Sequence, residues 1–169
     1  MAELLSTILV AYVLLTVASW RLEWLTDRWI VVGLAGTAIP DLVKIDLLLD
    51  DAVVENTLGI PFTYAPLGTL AGVVLVSVIV TLAFARRHWR RVFPLVFTGG
   101  LVGLLVDGLR VYADGRAGFY LYPLWWRPPT PSLFVSADPR VLVVTAVAGA
   151  IVFALDRYVI GGSPGSSSP

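Results

Sequence analysis

Five long apolar runs, separated by short charged or aromatic segments, pattern this chain from end to end. The first extends from Leu4 to Trp20 and is closed by Arg21-Leu-Glu-Trp24. At about 17 residues it is near the shortest stretch that crosses a bilayer as a helix. The second, Trp29 to about Leu49, is apolar and glycine-containing up to Ile39, then meets Pro40-Asp41 and carries Lys44 and Asp46 in a leucine-rich continuation. The third, Ala65 to Ala85, holds no charge and ends at Arg86-Arg-His-Trp-Arg-Arg91. The fourth runs from Val92 to Asp107, and the fifth from Val141 to Leu155, stopped by Asp156-Arg157. The pattern predicts an all-α, polytopic membrane helix bundle of about five helices. Residues 1–158 would form a single integral membrane domain and 159–169, rich in glycine, serine and proline, a flexible tail.

Composition strengthens this expectation. Hydrophobic residues make up 57% of the 169 positions and charged ones only 14%, where a soluble domain carries roughly 25%. Mean hydropathy is +0.84. A formal net charge of zero leaves no strong field to draw nucleic acid. The absence of cysteine excludes disulfides and thiolate metal sites. Glu3 ahead of the first run, with no basic segment before it, argues against a cleaved signal peptide.

Orientation follows from the distribution of lysine and arginine in short loops. The cluster Arg86, Arg87, Arg90 and Arg91 is expected on the cytoplasmic side, against anionic lipid, with Arg21, Arg28 and Arg157. Asp50, Asp51, Glu55, Asp114 and Asp138 then fall outside, which puts the C-terminus in the cytoplasm and the protein in the plasma membrane. A re-entrant second run would reverse the N-terminus. The external segment Gly108–Arg140 holds Tyr112, Phe119, Tyr120, Tyr122, Trp125, Trp126 and Phe134. It reads as an interfacial aromatic belt, with a lid over a site as the sharper alternative.

Ionisable groups inside such runs cost at least ~2.5 kcal/mol at mid-depth and mark function by default. Asp41 and Asp107 are the two carboxylates set deepest. At ~1.5 Å per helical residue they lie roughly 18 Å beyond Trp29 and roughly 24 Å beyond Arg91, in the outer half of the bilayer. Together they would suit a hard cation or a catalytic water. Each also has a structural reading: Asp41 as a helix-start residue after Pro40, Asp107 as a helix end or the partner of Arg110. Lys44 and Asp46 are expected to pair with neighbours. His88, alone in the basic loop, is not expected to hold a metal.

The order of Gly36-Thr-Ala-Ile-Pro-Asp41, Pro66-Leu-Gly-Thr-Leu70, Gly99-Gly-Leu-Val-Gly-Leu-Leu-Val-Asp107 and Tyr120-Leu-Tyr-Pro-Leu-Trp125 resembles the membrane-bound metal-dependent hydrolases. These are the LexA-binding, inner-membrane-associated hydrolase family, with the likeness running from about Leu4 to Trp126 and pointing to an archaeal-type member. The resemblance implies Asp41 and Asp107 as metal ligands. Thr7, Gly68 and Gly103 stand where the family has histidines, so it also implies a degenerate site without imidazole. Such a site would hold Mg²⁺ or Ca²⁺ weakly through oxygen ligands, and not Zn²⁺ in the ordinary way. The expected partners are membrane lipids and a small-molecule or lipid substrate. Three functions remain open: a scaffold with a degenerate metal site, an active hydrolase of phosphate or lipid esters, and a small transporter or channel subunit.

Overall fold

Two glycine-bearing helices touch backbone to backbone, and the other elements are arranged around that contact. The computed structural model describes residues 2–112, 115–116, 118–135 and 138–160. Asp114 and the part of the expected tail from 161 onward lie outside the described residues. The α-helices are α1 (Ala2–Ser19), α2 (Asp27–Gly36), α3 (Asp51–Leu58), α4 (Leu70–Leu82), α5 (Trp89–Gly108) and α6 (Pro139–Leu155). Short 3₁₀ segments cover Pro40–Leu47, Ala65–Gly68 and Arg86–His88, and a π turn, Asp156–Ile160, extends α6. All named elements are helical.

The α2–α5 contact depends on missing side chains. A Cβ on Gly99 would lie 2.0 Å from the Gly33 carbonyl oxygen, and one on Gly36 would lie 2.2 Å from that of Val96. Close helix approach of this kind is how small residues drive packing where lipid removes the hydrophobic incentive. Ile39, Val73, Val92, Val96 and Leu104 form the buried cluster beside it, joining the turn after α2 to α4 and α5. A second cluster, Leu15, Leu25, Ile30 and Leu95, ties α1 to the same pair.

The second apolar run is not one helix. After Gly36 the amides of Thr37, Ala38 and Ile39 bond three residues back, to Leu34, Ala35 and Gly36, instead of four. Pro40, which has no N–H, then opens a 3₁₀ segment. At 10 residues, α2 is about 15 Å long, half a hydrocarbon core. The third run is likewise divided, by Thr69. Its extended backbone lets the side chain cap α4 by accepting from the Gly72 amide. The amides of Leu70 and Ala71 donate to the carbonyls of Tyr120 and Tyr122 at 2.8 and 3.1 Å. The long aromatic segment thus supplies acceptors that this helix start lacks.

The apolar pattern does not mark α3, yet its signals are present. Asp50 accepts from the Ala52 amide, and Gly59 closes the helix at φ +68°. Among the described residues, two helices are long and apolar enough to cross a membrane: α5 with its preceding turn, and α6 with its extension. The apolar helices Leu4–Ser19 and Leu70–Leu82 are shorter.

Gly99→Ala should lower stability by about 1–3 kcal/mol through overpacking, read as a fall in melting temperature in detergent. Gly68→Ala, whose Cβ would meet nothing closer than 3.8 Å, should leave that temperature unchanged.

Candidate functional site

Both deep carboxylates reach the same place. A crevice at one end of the bundle is lined by Leu4 and Thr7 from α1 and by Thr37, Pro40 and Asp41 from the turn after α2. Gly103 and Asp107 of α5, and Arg110 just beyond it, complete the wall. Gly99, Gly103 and Asp107 recur every four residues and so share one face of α5. That face runs along α2 through the glycine contact and then meets the Pro40 turn: a Cβ on Gly103 would lie 3.0 Å from Pro40 Cγ and 3.1 Å from the Thr37 carbonyl oxygen. Glycine at 103 therefore has a packing reason of its own.

Of the five positions expected to mark a site, Thr7, Asp41, Gly103 and Asp107 line the crevice. Gly68 does not. It lies beside the same turn, with Val43 Cβ and the Pro40 carbonyl oxygen 3.8 and 3.9 Å from where its Cβ would be. The crevice also contains Thr37, which sequence reasoning does not single out; it is buried, and its hydroxyl donates to the Leu34 carbonyl at 2.7 Å. Its position three residues before the Pro-Asp pair is the only sequence signal it offers.

Each carboxylate has a cation of the chain against it. Lys44 pairs with Asp41, and Arg110 pairs with Asp107. The Lys44 and Asp41 side chains are 52% and 26% exposed, those of Arg110 and Asp107 only 19% and 29%. The second pair is therefore the better shielded. It is also tied into the aromatic segment, since the Leu133 amide donates to Leu109 and the Val111 amide to Phe134, at 2.9 Å each.

A resident divalent metal does not fit this donor set. Mg²⁺ and Ca²⁺ need six or more oxygen ligands, and both carboxylates here face an ammonium or a guanidinium. The crevice volume is about 10 Å³, room for about one water. Among the described residues, no group of three or more His, Asp or Glu side chains is placed to hold a metal.

No protein-family model, curated protein or solved structure matches this chain.

The aromatic segment reaches the crevice through Tyr112, whose hydroxyl donates to the Asp107 carbonyl at 3.3 Å. Tyr120 packs on Gly108, and burial raises its phenol above the usual 10.0. Trp126 packs against Phe119 and Tyr122 at 4.6 and 5.7 Å between ring centroids. Among the described residues beyond α5, only Arg110 joins the crevice wall. At the other end of the bundle, Arg91 sits over Trp24 and Trp29, 5.9 and 5.8 Å from the ring centroids, and Arg86 sits 5.7 Å from that of Trp89. The Arg87 Nε donates to His88 at 3.0 Å.

Arg110→Gln should destabilise the protein by about 1–3 kcal/mol, because it removes the guanidinium paired with a shielded carboxylate. Lys44→Gln at the more exposed pair should cost under about 1 kcal/mol. Unfolding of both variants and of the Asp107→Asn/Arg110→Gln double variant checks this: the double should lose less than Arg110→Gln alone.

Proposed function

We propose that this chain is a multi-pass protein of the cell membrane with the scaffold of the metal-dependent hydrolases and no hydrolytic metal chemistry. Lys44 and Arg110 provide internally the positive charge that a metal would bring. One observation carries the reading: Asp41 and Asp107, from separate elements, line one crevice with Thr7 and Gly103, and each is neutralised by a base three residues further on. The role that remains is binding, with the crevice end presented outward to lipid or to a partner.

Exposure supports the membrane part. Only 11% of the most apolar 18-residue stretch of α6 is buried, against 50% for α5. A soluble protein hides such a helix in its core, whereas this one turns Val143, Val144, Val147, Ile151 and Phe153 outward. Lipid is the solvent in which that surface is stable. The pattern of shared ends supports the orientation. Trp29 meets His88 at 5.5 Å, and Trp20 Nε1 donates to Asp156 at 2.9 Å, so the arginine-rich segments gather at the end away from the crevice.

The cysteine-free chain makes topology directly testable. Asn56→Cys should react with a membrane-impermeant maleimide on intact cells, and Ala85→Cys only after permeabilisation; the reverse pattern overturns the orientation. Purified protein should contain well under one metal per chain and show no phosphoester or lipid-ester hydrolysis with added Mg²⁺, Ca²⁺ or Zn²⁺. Metal-dependent turnover lost in Asp41→Asn and Asp107→Asn would overturn the non-hydrolytic reading.

A further inference from the structure

Among the described residues, a second cleft lies away from the crevice, at the arginine- and tryptophan-rich end. It has a volume of about 600 Å³, within the range of small-molecule sites. Its walls come from α1, α2, α6 and the π turn that extends α6.

The lining is divided by chemistry. Ile30, Val31, Leu34 and Phe153 form an apolar slot along α2 and α6. Asp27, at the first residue of α2, and Asp156 and Arg157, just past α6, form a charged rim at one end. Asp156 is held by the Trp20 indole at 2.9 Å. Asp27 and Arg157 are exposed, and among the described residues neither side chain makes an ion pair, with each other or with any other group. Two opposite charges on one rim, left apart, complement a ligand that carries both signs. Thr16, 2% exposed, also lines the cleft.

We propose that this cleft binds one zwitterionic glycerophospholipid from the surrounding bilayer. Arg157 takes the phosphate and Asp27 takes the headgroup cation. One hydrocarbon chain lies in the slot against Ile30, Val31 and Phe153. An anionic headgroup is disfavoured, because two carboxylates and a single guanidinium face it. The arginine faces stacked on Trp24, Trp29 and Trp89 at the same end mark the headgroup level, where aromatic rings concentrate. The inference rests on the membrane reading above.

The test is lipid retention by the full-length purified protein. Native mass spectrometry after incubation with phosphatidylethanolamine or phosphatidylglycerol counts the lipids that survive delipidating detergent. One phosphatidylethanolamine should be retained per chain, and phosphatidylglycerol about tenfold less. Asp27→Asn and Arg157→Gln should each reduce phosphatidylethanolamine retention about tenfold, the scale of one charged hydrogen bond. Val31→Trp, which fills the slot at an exposed position, should abolish it. Equal retention of both lipids by the unaltered chain overturns the proposal, as does full retention by correctly folded variants. Failure of the membrane reading shows separately, as identical labelling of Asn56→Cys and Ala85→Cys.

Discussion

The contact of Gly33 and Gly36 with Gly99 and Val96 is the constraint on which the rest of this structure depends. A methyl group at Gly36 or Gly99 would collide with backbone, which cannot swing aside as a side chain can. With the helices that close, the face of α5 four and eight residues beyond Gly99 must meet the Thr37–Asp41 turn at the end of α2. Gly103 accepts the proline ring of that turn, and Asp107 arrives beside Asp41. The convergence of the two carboxylates is thus a result of helix packing.

Packing two carboxylates together raises the energy of both unless something positive joins them. In this chain the positive groups are covalently attached, each three residues after the acid it serves. A tethered cation is always present at its site. It exposes no open coordination position, and it cannot activate water as a metal does. The crevice fits that arrangement in size, since about one water fills it. Both acid–base pairs are local: Asp41 and Lys44 stay within the 3₁₀ segment, and Asp107 and Arg110 sit at the end of α5, where the backbones of Leu109 and Val111 bond the aromatic segment.

Much of this was legible in the residues. Hydropathy located α1, α5 and α6 to within a few positions, because long apolar runs bounded by charge have little choice of conformation. That Asp41 and Asp107 line one crevice could be expected from their comparable depths, and the Asp107–Arg110 pair from a three-residue spacing. The features that stayed hidden involve contacts distant in sequence or signals too local for an apolar pattern. Pro40 announced a break, but the tightening to 3₁₀ bonds begins three residues before it. Thr69 and the carbonyls of Tyr120 and Tyr122 set the start of α4, and no window along the chain unites them. Asp50 and Gly59 bounded α3, whose exposed surface gave hydropathy nothing to detect. Gly68 and Gly103 were alike as letters; only the packing separates a glycine with room around it from one pressed against a proline.

The borrowed carbonyls at the head of α4 bear on how the chain is made. Leu70 and Ala71 find their acceptors roughly fifty residues downstream, and a ribosome delivers the earlier residues first. The first two amides of α4 therefore wait for these acceptors while all of α5 is synthesised and the aromatic segment emerges. During that interval solvent must serve those amides, which favours keeping this end of the helix hydrated until Tyr120 and Tyr122 arrive. Maturation of this corner is a late event in biogenesis, and a chain truncated before Tyr120 would leave it permanently unfinished.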